Sequence, residues 1–354
     1  MKYDLNILNE YVDKGLVIKQ VHPTLPFIIY NYSRECQYNG VWDDITLNCR
    51  GLILDFDGNV IAKPFPKFFN YEEHKPEDIP NELFEVYEKM DGSLGIIYYY
   101  NGEWYVATRG SFHSNQATKG KEMLDKLNQD VLIPGYTYLA EIIYPENRIV
   151  VDYGKDEKLV LLGCYNNETG EEVIINNMEG WEVVMKYKTW GEGYDLLKEE
   201  ISKDREGYVI RFSGGMRMKI KGTEYVRLHK ILTNFSTKDI WELLRNNEPL
   251  EPFLERVPDE FDKWVKAIIM NLRYSYYSID ERAGKLHDGF RYGKFNDRDP
   301  EPTKKEFAEY VKQFPKELAA VMFKMWDKQP YDNIIWSMIK PKFEKPFKNN
   351  SELN

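Results

Sequence analysis

The sequence predicts an α+β protein in two domains. Residues 1–235 read as antiparallel sheets with flanking helices, and residues 236–354 as an all-α domain. Three observations carry this. The turn dipeptides Asp57-Gly58, Asn101-Gly102 and Gly214-Gly215 each separate two runs rich in β-branched and aromatic residues, which is a hairpin signal. After about residue 230 the spacing of apolar residues changes to the helical period. A chain of 354 residues is also long enough for two cores.

The elements follow in order. Leu5, Leu8, Tyr11 and Val12 stand near helical spacing and predict an opening helix. Pro26 to Ser33 reads as a strand, then Gly51–Asp55 and Val60–Phe65 flank the first hairpin turn. Residues 85–100 read as two strands joined by a tight turn at Asp91-Gly92. Tyr98–Ala107 forms a further hairpin, Gln116–Leu127 a helix, and Tyr136–Tyr144 and Leu159–Gly163 buried strands. Asn167–Gly170 is a turn and Tyr194–Ile201 a short amphipathic helix. Tyr208–Phe212 and Met216–Ile220 then close the third hairpin. Beyond it, Ser236-x-x-Asp239 and Thr303-x-x-Glu306 have the form of capping boxes. Asp259–Tyr274, Leu318–Trp326 and Ile334–Ile339 carry helical periodicity, and His287–Asp299 reads as a Gly- and Asp-rich loop.

Composition narrows the function classes. Hydrophobic content of 42% with 15% aromatics is globular. No apolar run approaches membrane-spanning length, and the N-terminal residues lack a signal peptide's apolar stretch. Cys36, Cys49 and Cys164 have no metal or redox spacing, so a reducing cytoplasm is expected. A net charge of −10 excludes a protein that coats nucleic acid non-specifically, though not an enzyme with a local basic groove. From Lys203 to Lys230 eight basic residues face three acidic ones. The five histidines are scattered without metal spacing. The runs Tyr98–Tyr100 and Tyr274–Tyr277 are expected to pack rather than to stack bases.

Chemistry gathers around Lys89 in Lys89-Met-Asp91-Gly92. A lysine at a turn can point its amine into a pocket, and glycine lets a nucleotide approach the backbone. Alone, the tetrapeptide reads more readily as a surface hairpin turn with a solvated lysine. It is followed by Glu141 in Tyr138–Tyr144, by Glu206-Gly207-Tyr208-Val-Ile-Arg211, and by Lys219-Ile-Lys221. Alternation places Lys219 and Lys221 on one face of their strand.

That order resembles the covalent nucleotidyltransferases, which include DNA ligases, RNA ligases and mRNA-capping enzymes. Cys49-Arg50-Gly51, Lys67-Phe68-Phe69-Asn70, Pro145–Val150 and Lys221-Gly-Thr-Glu-Tyr225 are similar to the tRNA-repair RNA ligases of T-even phages, over about residues 30 to 230. The resemblance implies a nucleotidyltransferase (ATP-grasp-like ligase) domain and a C-terminal helical domain that carries RNA specificity. DNA ligases and capping enzymes place an OB barrel there instead.

It further implies an ATP-dependent RNA ligase, with Lys89 as the nucleophile that becomes lysyl-AMP. Lys219, Lys221 and Glu206 would assist, and Arg50, Lys67 and Arg109 would meet the ATP phosphates. Phe69, Asp91, Gly92, Glu141 and Tyr225 would complete the nucleotide pocket. Arg109 departs from the relatives' lysine at that position. Asp91, Glu141 and Glu206 would serve Mg²⁺ or Mn²⁺, through its water shell, or the ribose. Nearby Lys219, Lys221 and Arg50 are expected to lower the Lys89 pKa, since only a neutral amine attacks phosphorus.

The expected substrate is RNA with 5′-phosphate and 3′-hydroxyl ends, such as a nicked tRNA anticodon loop. An end-healing kinase/phosphatase would be the functional partner, and the enzyme a monomer in the cytoplasm of a phage-infected bacterium. The competing readings are a DNA-end or capping nucleotidyltransferase, and a non-catalytic RNA-end-binding module of the same fold.

Overall fold

The computed structural model describes residues 1–187, 194–202, 204–250, 254, 257, 259–292 and 302–342. The chain divides into two compact units, one ending at His229 and the other beginning at Lys230.

Three sheets make up the first unit. The first runs in the order β1 (Val17–Val21), β2 (Phe27–Tyr32), β3 (Arg50–Asp55), β4 (Val60–Ala62), all antiparallel. Helix α1 (Leu5–Asp13) precedes it, capped by the Asp4 carboxylate on the Asn6 amide.

The second sheet joins β7 (Ser93–Tyr100), β8 (Glu103–Thr108), β9 (Tyr136–Ile143), β10 (Lys158–Asn166) and β11 (Glu172–Val173) in the order β11-β10-β9-β7-β8. Phe27, Ile29, Ile53 and Ala62 of the first sheet share a core with Ile96, Tyr98, Ala107 and Leu139 of the second. The other face of the second sheet is covered by the helix Asn115–Leu124, which buries Ala117, Gly120, Met123 and Leu124. With both faces covered, β9 is buried along nearly its whole length, and that burial removes enough area from water to hold the sheets together.

The third sheet carries the late motifs. Its central strands are β6 (Phe84–Lys89), β14 (Gly207–Phe212) and β15 (Arg217–Lys221), with short edges at Phe69–Asn70 and Lys186–Tyr187. Val86, Ile210, Phe212, Met218 and Ile220 form its core.

Two expectations are corrected here. Lys89 does not sit in a hairpin, because β6 belongs to the third sheet and β7 to the second. Asp91-Gly92 is a crossover between sheets, and Gly92 lacks the positive φ that an Asp-Gly hairpin turn requires. The supposed loop at His287 is also helical through Tyr292, and its remainder lies outside the described residues.

In the second unit the described elements are helices. Ser236 and Thr303 cap theirs through the expected capping boxes. The helix Asp259–Tyr292 buries Ala283 and Phe290 against Phe307, Val311, Leu318, Val321 and Ile335. Trp241 Nε1 donates to the Trp336 carbonyl at 2.8 Å. Tyr98 is buried as expected, and Tyr276 lies 5.1 Å from the Trp336 ring. Tyr274 and Tyr277 are instead exposed at 77% and 63%, which corrects the packing expected of them. No described helix is long and apolar enough to cross a membrane.

Candidate active site

Lys89 ends β6 directly opposite Gly207 of β14, and Gly207 in turn faces Lys221 of β15. This register puts Glu206, the residue before Gly207, between two lysines. Its carboxylate accepts from Lys89 Nζ at 2.9 Å and from Lys221 Nζ at 2.7 Å, with only 3% of the side chain exposed.

The crossover after Lys89 is fixed on all sides. Asp91 Oδ2 accepts from the amides of Val150 and Val151, and Oδ1 from the Tyr225 hydroxyl at 2.7 Å. The Asp91 amide donates to Tyr153 Oη, and the Gly92 amide to Glu141 Oε1, both at 2.9 Å. A Cβ at Gly92 would come within 2.6 Å of the Ile142 carbonyl oxygen, so only glycine lets this turn seat against β9.

A cavity of about 360 Å³ opens on these groups. Arg50, Lys67, Arg109, Lys219 and Lys221 line it together with Lys89, Asp91, Glu141, Glu206 and Tyr225. The expected alternation holds in β15, where Arg217, Lys219 and Lys221 reach the cavity and keep some exposure while Met218 and Ile220 are buried.

Lys67 is ringed by Tyr32, Trp42 and Phe69, with ring centroids 5.7, 5.5 and 5.2 Å from Nζ. Arg109 donates to Tyr32 Oη at 2.7 Å. Phe69 therefore works behind Lys67, while Phe68 lines the cavity, 5.7 Å from Arg50 and 5.8 Å from Lys219. Phe68, Tyr32, Tyr153 and His229 are cavity or anchoring residues that sequence reasoning missed. Alternation along a two-residue strand such as Phe69–Asn70 is too short to show which aromatic faces inward.

The charges are unevenly partnered. Among the described residues Arg50, Lys67, Arg109 and Lys219 make no ion pair with any carboxylate, and Arg50 Nη1 is buried without a hydrogen-bond partner. Buried cations without acids are costly, and such a set is suited to receive a polyanion.

Burial, with Lys67, Lys89 and Lys221 nearby, drives the Lys219 ammonium down to about 6. Lys89 goes the other way, and the expectation of a lowered value is corrected. Burial pulls its pKa down, but Glu206, Glu141 and Asp91 outweigh that and hold it above the ordinary lysine range. Glu206 is pushed up by burial, yet Lys89 and Lys221 prevail and keep it below its ordinary range. Glu141, buried beside Glu206, rises to about 7 in spite of Lys89. Asp91 is raised by burial and by Glu206, against the two amides that donate to it.

The service expected of Asp91, Glu141 and Glu206 is to a divalent ion's water shell or to the ribose, and among the described residues no three Asp, Glu, His or Cys side chains gather to hold such an ion directly. Asp91 accepts from the 150–151 loop and Tyr225, and Glu206 accepts one ammonium group on each oxygen. Direct coordination by Asp91, Glu141 and Glu206 does not fit this arrangement.

Lys219 gives a stability test. Its folded value near 6 lies below the ordinary 10.5, so the unfolded chain binds more protons between those limits and stability rises with pH there. Lys219→Met removes that penalty. It is expected to raise the melting temperature by at least about 2–4 °C at pH 6–7, with the gain shrinking toward pH 10. A gain independent of pH in calorimetric melts would mean that Lys219 is not desolvated.

A family model described as RNA ligase matches residues 48–225. A protein of Autographa californica nuclear polyhedrosis virus, assigned as a bifunctional polynucleotide kinase/RNA ligase, is 30% identical over 221 residues. That match covers 52% of this chain and 31% of the viral protein, so the chain spans under a third of that relative. An RNA ligase of Rhodothermus phage RM378 is 24% identical over 341 residues, covering 73% and 75% of the two chains. An archaeal ATP-dependent RNA ligase structure aligns with a TM-score of 0.48 at 12% identity, over 93% of this chain and 96% of that one. The family match takes in just over half of the sequence and every motif residue from Arg50 to Tyr225, and the chain belongs to the RNA ligase family.

Proposed function

We propose that this protein is an ATP-dependent RNA ligase that joins a 5′-phosphate to a 3′-hydroxyl. The observation that carries the reading is the cavity's four basic side chains without a paired carboxylate, Arg50, Lys67, Arg109 and Lys219, standing beside a buried Lys89. A nucleoside triphosphate supplies the missing negative charge, and catalysis at phosphorus is mainly positioning and charge neutralisation.

In the first step the Lys89 nitrogen attacks the α-phosphorus of ATP. An N–P bond forms, the P–O bond to pyrophosphate breaks, and the amine proton departs. In the second, a 5′-phosphate oxygen of RNA takes the adenylyl group and the lysine nitrogen regains a proton. In the third, the 3′-oxygen attacks that phosphate and AMP leaves. The Glu206 bridge aims Lys89 and holds it protonated until nucleotide arrives. A divalent ion bound to ATP would neutralise part of the phosphate charge.

The finer reading is repair of RNA such as a nicked tRNA anticodon loop, in the cytoplasm of a phage-infected bacterium. A monomeric ligase would act there beside an end-healing kinase/phosphatase, with RNA specificity in the helical unit. The motif resemblance supports this, and so does the viral relative whose assigned name joins a kinase to a ligase.

Incubation with α-labelled ATP and Mg²⁺ is expected to label the protein through an acid-labile bond. Addition of 5′-phosphorylated RNA should discharge the label and yield joined product. DNA ends joined in preference to RNA would favour the DNA-end reading, and absence of label together with absence of ligation would sink the enzyme.

A further inference from the structure

The cavity has a second pole, built unlike the first. The ladder of the third sheet pairs Gly207 with Lys221, Val209 with Lys219, and Arg211 with Arg217. Two arginines thus stand directly opposite each other on neighbouring strands, an arrangement that is unfavourable unless something neutralises it. Glu172 does so from β11 of the second sheet. It accepts from Arg211 Nε at 3.0 Å and pairs with Arg217 through its other oxygen. The three side chains are 15%, 9% and 11% exposed for Arg211, Arg217 and Glu172, and all line the cavity. The walls around them are apolar: Phe65, with Arg217 stacked 4.6 Å from its ring, then Leu162, Ile174 and Val184. Gly163 lets the Phe65 ring pack flush against β10, since a Cβ there would meet that ring at 2.8 Å.

Arg211 also stands 3.7 Å from Glu85, so two carboxylates balance the two guanidinium groups and this pole does not continue the cationic one. It suits a flat polar ring. At about 3.3 Å per residue, the Arg211–Arg217 rung lies roughly 13 Å along the strands from the Lys89–Lys221 rung, a distance that a ribose and a purine bridge. Val209 and Tyr87 face each other at the rung between. Glu172 has lone pairs to spare after serving two guanidinium donors, and the arginines have N–H groups to spare. Acceptor beside donor complements the amino group and ring nitrogen of adenine. Guanine or hypoxanthine would instead set a carbonyl oxygen against the carboxylate.

Resting on the proposed nucleotide-dependent activity, we propose that Glu172, held between Arg211 and Arg217, reads the base edge of the bound nucleotide and selects adenine through its exocyclic amine. The test is equilibrium binding of ATP, inosine triphosphate and purine riboside triphosphate, with divalent ions chelated so that no covalent transfer occurs, to the full chain and to Glu172→Gln. The native protein is expected to prefer ATP over both analogues by about 10- to 100-fold. Glu172→Gln should lose at least about 10-fold of the preference over inosine triphosphate, since a carboxamide can donate to the carbonyl. Equal binding of ATP and purine riboside triphosphate by the native protein overturns the proposal, even if the variant fails to fold. An ATP preference unchanged in a folded Glu172→Gln also overturns it. Selective ATP binding lost in the variant, with no label ever formed on the protein when Mg²⁺ is supplied, would support the base site while removing the ligase reading. No binding of any of the three removes both.

Discussion

Lys89→Ala is expected to abolish covalent labelling by α-labelled ATP, with a loss of at least roughly a thousand-fold, because it removes the nitrogen proposed to form the N–P bond. Lys89→Arg should fail equally, since a guanidinium keeps its proton and is no nucleophile at neutral pH. Folding should survive both changes. Glu206 keeps Lys221 at 2.7 Å when Lys89 is removed, so no buried charge is orphaned. The reaction sequence adds a sharper expectation. Steps one and two pass through the lysine nitrogen and step three does not. RNA that already carries a 5′-adenylate should therefore still be sealed by Lys89→Ala, while 5′-phosphorylated RNA with ATP is not. Gel assays of the two substrates side by side decide the matter. Label persisting on Lys89→Ala would move the nucleophile elsewhere. Loss of sealing on both substrates, in a protein that still melts cooperatively, would make Lys89 a binding residue instead.

How much of this was legible in the sequence depends on how far each relation reaches. Lys219 and Lys221 share a face because a strand has period two, and that is visible in three consecutive residues. The capping boxes at Ser236 and Thr303 span four residues each and were equally plain. The hairpin predicted at Asp91-Gly92 failed because the dipeptide reports a turn and says nothing of which sheet each flanking strand joins. That choice is made by Ile142 and Glu141, some fifty residues on, which receive the turn against β9. The Lys89 pKa failed for a related reason. Counting the motif cations left out a carboxylate 117 residues away, brought to 2.9 Å by the register of β6 on β14. Charge balance at a buried point is set by whichever acid the fold delivers, and a one-dimensional count cannot weigh burial against it. The Glu172–Arg211–Arg217 group was invisible for the same cause, since it needs strands from two sheets to meet.

Glu206→Ala is expected to cost both stability and activity, and pH separates the two. Removing a buried carboxylate from between two ammonium groups leaves Lys89 and Lys221 facing each other without a counter-charge, which costs about 3–5 kcal/mol. Chemical denaturation at pH 7 should show a loss of that order. The Glu206 carboxyl is held below its ordinary 4.5, so its contribution is complete above that value and disappears as pH falls through the folded one. Lys89 is held above its ordinary 10.5, so its share is complete below that value and is lost as pH rises past the folded one. Wild type and variant should differ most between about pH 5 and 10 and converge in acid. A deficit that stays constant down to pH 3 would assign the loss to packing instead of charge. With this acid gone, burial is opposed only by Glu141 and Asp91, and the Lys89 pKa should drop. The variant's Lys89 should then react faster than wild type with a small amine-directed reagent at pH 7–8. Transfer of AMP should nevertheless slow by about 100-fold, because the bridge that aims the nitrogen is missing. A faster amine with slower chemistry is the combination that only a positioning carboxylate produces. An amine whose small-reagent reactivity falls along with AMP transfer would mean that Glu206 also takes the proton.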